Sequence, residues 1–334
     1  MPYDRFDNPF DWPNFGLVDD VRSAMIAAAR GERPMALATL FAVDGGAPRA
    51  PGAQMLFVDG PAAGFLSGGC IEADVALHAQ EVIQTGRSRI LTYGKGGPID
   101  LTLPCGSSIK ILLEPVAADD QALARLRYFT ATRRPAIWIS DGDSRTCVAE
   151  DEDLGPSQAL RPMLLSGDAE CAALDDPFVL ARRHTPAIRV VVIGGEPPAL
   201  ALTQLAAHVG LETILVRPRG PASPPPEPAA YLRLEPQEAL AVLLPDPWTA
   251  VAILTHDLDD QHAALVAALS ADAGYVGAIG SRKRIGARNL RLSTAGLDQD
   301  RIGRLHAPIG LPIGGKSPWR IAIATLAEIM ASIG

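Results

Sequence analysis

The chain has 334 residues, a formal net charge of −8 from 30 basic and 38 acidic residues, and a composition that is 48% hydrophobic but only 5% aromatic. The length is that of two cores rather than one, and the acidic balance excludes a broad nucleic-acid or anionic-membrane surface. No stretch approaches about 18 uninterrupted apolar residues and the start of the chain lacks a basic segment followed by an apolar run, so a cytoplasmic protein without membrane contact is expected.

Residues 1–16 mix Pro, Asp and Asn with Phe6, Phe10, Trp12 and Phe15 without period, and read as a partly ordered arm. From Leu17 to about Ala29, the positions Val18, Val21, Met25 and Ala28 recur at helical spacing, and Gly31 and Pro34 supply the stop. Residues 35–42 read as a buried strand, and residues 53–58 and 61–66 as a hairpin about Asp59-Gly60. The run Ser67-Gly68-Gly69-Cys70-Ile71-Glu72-Ala73-Asp74-Val75 then converts a glycine turn into a helix that continues to about Thr85, with Gly86 at its C′ position. The strand Ile90–Tyr93, a Gly-rich loop through Pro104-Cys105-Gly106 and the strand Ile109–Leu113 complete a small α/β unit. Beyond it the pattern predicts a helix near Asp120–Thr130, the strand Ala136–Ile139 and an Asp141-Gly142 turn, then mixed polar sequence read as a linker, so that the first domain spans 17–180.

From Ala187 strands and helices alternate. Ile188–Ile193, the helix Pro198–His208 closed by Gly210, and Glu212–Val216 form a βαβ unit. After a Pro-rich loop at 218–228, strands at Tyr231–Leu234, Ala250–Leu254 and Tyr275–Ile279 alternate with helices at Asp260–Ser270, Arg282–Thr294 and Pro318–Ser332. The fold expected is α/β: a small N-terminal α/β domain and, over 187–334, a doubly wound parallel sheet.

Chemistry concentrates on few residues. Cys70 lies where a glycine turn meets a helix start, a place where backbone N–H groups converge and where cysteines titrate at roughly 3.5–7.5. Gly68 and Gly69 leave room for a ligand, and Glu72 and Asp74 favour the helix while repelling an anion. Arg49 is either the counterweight to those acids or a solvated surface cation. Cys105 and Gly106 sit on a second loop of the same domain, from which Cys105 is able to approach Cys70. Cys147 and Cys171 lack glycine neighbours or a helix start and read as small buried hydrophobes. In the second domain Gly194-Gly195-Glu196-Pro197-Pro198-Ala199 occupies the place of a dinucleotide fingerprint, but Glu196 replaces its second glycine and Arg217-Pro218-Arg219 stands where an acid would hold the ribose. Tight NAD(P) binding is therefore disfavoured. Beyond the later strands lie His256, a candidate base, and Gly280-Ser281-Arg282-Lys283, read either as a phosphate nest or as a solvated basic turn.

Four blocks in order, Gly68–Val75, Leu103-Pro104-Cys105-Gly106, Tyr275–Arg282 and His306-Ala307-Pro308-Ile309-Gly310-Leu311 with the helix after Pro318, resemble the XdhC/CoxI family of xanthine dehydrogenase accessory proteins. The resemblance implies a Rossmann-like second domain, a homodimer, and a non-catalytic maturation factor. Such a factor binds molybdenum cofactor (molybdopterin or its dinucleotide form), supports its sulfuration with a cysteine desulfurase, and delivers it to a molybdenum hydroxylase apo-enzyme. Cys70 and Cys105 become the candidate contacts to the metal. The other residues expected to touch the cofactor are Gly68, Gly69, Glu72, Arg49, Gly106, Gly194, Gly195, His256, Ser281 and Arg282. The alternative from another class is an NAD(P)-dependent oxidoreductase that uses the second domain.

Overall fold

A computed structural model of the protein describes residues 14–58, 62–67, 69–95, 108–167, 169–226 and 229–333. The chain divides into two compact units, residues 1–186 and 187–334. The arm before Asn14, the turn at Asp59-Gly60 and the loop carrying Cys105 and Gly106 lie outside the described residues.

In the first unit α1 (Arg22–Arg30) leads into β1 (Met35–Asp44), β2 (Gln54–Val58), β3 (Ala63–Gly64), α2 (Glu72–Thr85), β4 (Arg89–Gly94) and β5 (Ser108–Val116). Helix α1 starts later than its periodicity suggests because the Asp20 carboxylate accepts the Arg22 N–H at 3.0 Å and holds the preceding chain outside the helix. The five strands form an antiparallel sheet in the order β3-β2-β1-β5-β4. Strand β1 is covered on both faces, which is why it reads as one apolar run rather than an alternation. Ala36, Ala38 and Leu40 pack with Val75, Ala79 and Val82 of α2, whereas Met35 and Leu37 point to the opposite side with Met25 and Ala28 of α1. Gly86 ends α2 with a φ of 66°, the left-handed conformation that a C′ glycine supplies without strain.

The residues read as a linker form a second sheet. After α3 (Gln121–Ala131) come β6 (Ala136–Ser140), β7 (Arg145–Ala149), the short helix α4 (Arg161–Leu165), β8 (Cys171–Asp175) and β9 (Phe178–His184), ordered β7-β6-β9-β8 and antiparallel throughout. Their pattern is hard to see because the strands carry charged residues that are paired within the fold. Arg183 reaches Glu150 at 2.6 Å. Arg145 on β7 reaches Asp120 at 2.8 Å and the fully buried Glu114 of β5 at 3.1 Å. Glu114 also accepts the Trp138 indole N–H at 3.1 Å and the Ser140 hydroxyl at 2.7 Å, so one carboxyl group joins the first sheet to the second. Burial pushes that carboxyl above its usual range, and Arg145 and the neutral donors pull against it.

The second unit is a six-stranded parallel sheet made of β10 (Arg189–Ile193), β11 (Glu212–Val216), β12 (Ala230–Leu232), β13 (Thr249–Ile253), β14 (Tyr275–Ala278) and β15 (Leu305–His306), ordered β12-β11-β10-β13-β14-β15. Numbered within the unit, that order is 3-2-1-4-5-6, the doubly wound arrangement whose switch point lies between β10 and β13. Helices α5 (Pro197–His208) and α10 (Pro318–Ile333) cover one face. On the other lie α6 (Pro236–Leu243), α7 (Leu258–Ser270), α8 (Ile285–Thr294) and α9 (Gln299–Gly303). Helix α6 has no apolar period long enough to announce it; a capping box between Glu235 and Glu238, with Pro236 at the first turn, starts it instead. No helix of the described residues is long and apolar enough to cross a membrane.

At the end of β9, His184 is buried and accepts a hydrogen bond at Nδ1 from Arg182 at 2.6 Å, while Arg182 also donates to the Gly52 carbonyl at 2.7 Å. Burial, reinforced by Arg182 and Arg22, holds the His184 pKa well below 6.5. An unfolded histidine binds its proton near pH 6.5, so below that pH the unfolded chain holds a proton that the fold refuses. Stability is thus complete above pH 6.5 and falls as the solution is acidified, by up to about 1.4 kcal/mol per pH unit. Urea midpoints of the full chain measured from pH 7.5 to 5.5 are expected to decline, and to decline less steeply in His184→Gln.

Candidate functional site

Cys70 is exposed, two residues ahead of α2 rather than inside its first turn, with Ile71 at the N-cap. Gly69 before it has a φ of 92°, and nothing lies within 4 Å of where a Cβ would stand, so backbone conformation rather than space requires the glycine. Gly68 lies outside the described residues.

Glu72, expected among the cofactor contacts, does something else. Its side chain is fully buried and folds back beneath the turn. One carboxylate oxygen accepts the N–H groups of Ser67 at 2.7 Å and Leu66 at 3.3 Å; the other accepts the Ile71 N–H at 3.2 Å and the Ser67 hydroxyl at 2.9 Å. Part of the amide nest that the glycine turn suggests is therefore filled by the chain's own carboxylate, and Glu72 is a brace rather than a ligand. Asp74, two residues on in the same first turn, accepts the hydroxyl of buried Tyr93 at 2.7 Å and ties α2 to β4, and burial together with Asp74 raises the Tyr93 pKa. The result is a sulfur held outward on a turn that is fixed from below. Arg49 pairs with Asp19 on the surface, the second of the two roles open to it. Cys147 and Cys171 are buried, and burial pushes each thiol up to about 12, which fits small core residues without redox or ligand duty. Among the described residues, no group of three or more His, Cys, Asp and Glu side chains is placed to hold a metal ion.

In the second unit the Gly194–Glu196 turn sits at the switch point. Gly194 has a φ of 146° and lies against the backbone of Leu254, 3.0 Å from a Cβ position, while a Cβ on Gly195 would stand 2.2 Å from the Arg217 guanidinium. Glu196 turns its carboxylate onto the Gly195 N–H at 3.0 Å and, more loosely, the His256 N–H at 3.4 Å. Its burial would raise its pKa, but those backbone donors prevail and hold it below the usual range. The adjoining cleft, about 300 Å³, brings Gly194, Gly195, Glu196 and Arg217 together with Asp257 and Asp260. Arg219 is tied to Asp260 by an ion pair.

The basic turn after β14 is exposed throughout, the second of the two readings open to it. Ser281 spends its hydroxyl on the Lys283 N–H at 3.3 Å, and Arg282 is exposed on a short 3-10 turn. A second cleft, about 340 Å³, opens between α7 and α8 and takes in His256, but its cations are Arg284, Arg288 and Arg291 rather than Arg282. Their spacing of four and three residues is the signal in the sequence, since it sets all three on one helical face. The blocks Tyr275–Arg282 and His306–Leu311 meet at Glu328 of α10. Glu328 accepts the Tyr275 hydroxyl at 2.6 Å and the Gly310 N–H at 2.7 Å, and lies 3.5 Å from His306, whose ring is 4.6 Å from that of Tyr275. Gly277 is needed there because a Cβ would stand 2.5 Å from the Tyr275 hydroxyl. These residues hold the sheet edge to α10.

A small α/β unit with an exposed cysteine on a braced glycine turn, together with a six-stranded Rossmann-type unit, defines the class of protein. The chain matches the family model "XdhC and CoxI family" over residues 28–94 and the model "XdhC Rossmann domain" over residues 190–329. It belongs to the XdhC and CoxI family. It is 30% identical to the molybdenum cofactor insertion chaperone PaoD of Escherichia coli K12 over 98% of this chain and 95% of that one. A Bacillus subtilis protein described as a probable xanthine dehydrogenase subunit is 25% identical, over 88% of this chain and 92% of that one. A crystal structure of a Bacillus halodurans protein, described as a xanthine dehydrogenase, superposes with a TM-score of 0.71 at 26% identity, over 93% of this chain and 95% of that one.

The braced turn makes two measurable demands. In a Cys105→Ser background, a disulfide reagent at pH 8 is expected to titrate Cys70 at once and Cys147 and Cys171 only on unfolding. Glu72→Ala leaves three backbone N–H groups without their acceptor, at a cost on the order of 3 kcal/mol in denaturant titration. Wild-type stability in that variant would show that the brace is dispensable.

Proposed function

We propose that this chain is a molybdenum cofactor carrier. It binds the cofactor, shields it, supports its sulfuration with a cysteine desulfurase, and hands it to the apo form of a xanthine dehydrogenase-type molybdenum hydroxylase. The observation that carries the reading is the exposed Cys70 on its braced turn, in a chain that a named insertion chaperone matches over nearly its whole length. The residues fit such a cargo. A thiolate is a soft donor suited to molybdenum, whereas the hard oxygen ligands that suit magnesium or calcium are not gathered at this turn, since Glu72 is turned inward. A carrier must also release what it holds, and one or two thiolate donors to a metal that brings its own pterin exchange more readily than a full cage of protein ligands. Cys105 is the second donor in this proposal. Incubation of the purified chain with molybdenum cofactor, followed by gel filtration and metal and pterin analysis, is expected to show retention by wild type and loss of at least tenfold in Cys70→Ala. Wild-type retention by both Cys70→Ala and Cys105→Ala would remove the thiolate role.

One observation favours an NAD(P)-dependent oxidoreductase: the 3-2-1-4-5-6 strand order puts a Gly-Gly turn where such enzymes bind pyrophosphate. Against it stands the Glu196 carboxylate, which takes the Gly195 N–H that a pyrophosphate would use and repels a second anion. Wild-type protein is accordingly expected to show no saturable fluorescence quenching by micromolar NADPH, and Glu196→Gly, which frees that N–H and restores the second glycine, to gain it. Micromolar binding by wild type would favour the oxidoreductase.

A further inference from the structure

The cleft between α7 and α8 differs in sign from its neighbour at the switch point. Three arginines, two histidines and Gln261 line it, and no carboxylate does among the described residues. The switch-point cleft contains Glu196, Asp257 and Asp260 beside its arginines. In a chain of net charge −8, a concave surface of one positive sign is a local concentration of charge that the composition conceals.

The arginines are set for a ligand rather than for one another. Arg284, Arg288 and Arg291 share a helical face, and Arg291 is anchored at the rim by exposed Asp259 at 2.9 Å. Arg288 lines the cleft and carries its Nε buried and without a hydrogen-bond partner, an unmet donor of the kind that normally makes charge-assisted bonds. Gln261 braces the opposite wall by donating to the Thr255 carbonyl at 3.1 Å and the Ile279 carbonyl at 2.9 Å, which joins the ends of β13 and β14. Leu265, Ile279 and Ala287 supply apolar surface beside the charges, room for the ring or sugar that a phosphate ester carries.

We propose that this cleft binds the phosphate or diphosphate group of an organic phosphate ester, with Arg288 and Arg284 as the principal contacts. The site borders the Gly280–Lys283 turn through Gly280 but takes its cations from beyond that turn, and it shares no lining residue with the dinucleotide position at Gly194–Glu196. It stands independently of the Cys70 reading. The same chemistry is offered by a free nucleotide and by the phosphate end of a pterin cofactor.

The test is calorimetric titration of the full chain at low salt with inorganic pyrophosphate and with a purine and a pyrimidine nucleoside diphosphate. Saturable binding is expected, weakened at least tenfold in Arg288→Gln and in Arg284→Gln, with a shallower salt dependence, and unchanged in Arg217→Gln and Cys70→Ala. Arg284 is exposed, so its variant keeps the test valid if Arg288→Gln proves unstable by thermal melting. Displacement of retained molybdenum cofactor by pyrophosphate would assign the cleft to the cofactor's phosphate end, and binding without displacement to a separate nucleotide. No saturable binding by wild type, the same affinity in both α8 variants, or a loss specific to Arg217→Gln would overturn the proposal. Diphosphate binding that survives in Cys70→Ala would show that this site stands even where the Cys70 reading fails.

Discussion

The buried carboxylate of Glu72 is the constraint on which the first unit's site depends. A glycine turn entering a helix has several N–H groups and too few acceptors, and a buried donor left unpaired costs about 1–3 kcal/mol. Glu72 answers both ends of the turn at once, taking Leu66 and Ser67 on one side and Ile71 on the other. Ile71 is itself fully buried among the residues of α2 and the sheet, so the turn is pinned by packing as well as by hydrogen bonds. Cys70 is left as the residue that neither packs nor pairs inward. Its exposure is a consequence of how tightly its two flanks are held.

The same device recurs at the Gly194–Glu196 turn. There too a glycine pair precedes a helix, and there too a glutamate side chain bends back onto a backbone N–H of the turn, in this case that of Gly195. The two turns look like anion nests, and in both an internal anion occupies part of the nest. For the first turn this means that three of its N–H groups are already committed, while the sulfur stays exposed. For the second it means that a fold shaped for dinucleotides can persist with its usual ligand opposed by a built-in charge.

Much of the fold is legible in the chain because burial writes a period into it. The βαβ pattern from Ile188 onward, the end of α2 at Gly86 and the inert character of Cys147 and Cys171 all follow from spacing, glycine placement or neighbours, and the structure agrees with each. The strands β7 and β9 escape such a reading because Arg145, Arg182, Arg183 and His184 interrupt the apolar pattern. Only tertiary partners such as Glu114 and Glu150 make those charges compatible with a sheet. Glu72 is visible as an acid in a first turn, but its inward direction is not, since one-dimensional spacing cannot distinguish a carboxylate facing a ligand from one facing the backbone. The arginine face of α8 is legible in principle. Its first member follows Arg282 and Lys283, and the run draws attention to residues that the short 3-10 turn directs to solvent.

Charge segregation in the second unit follows from the same geometry. The loop from Thr255 to Leu258 separates two clefts, with Asp257 on the switch-point side and His256 on the α8 side. Asp257 is committed to capping α7, where it accepts the N–H groups of Asp259 and Asp260 at 3.0 and 2.9 Å. That cap fixes where acid accumulates, because Asp260, which meets Arg219, opens α7 on the same side, while Asp259 projects outward to hold Arg291. The acids of α7 are thereby used up on its N-terminus and on two rim arginines. Arg284 and Arg288 line the other wall, and neither lies in an ion pair with those acids. A chain acidic overall thus keeps an uncompensated cationic cleft because helix capping dictates where its carboxylates must be.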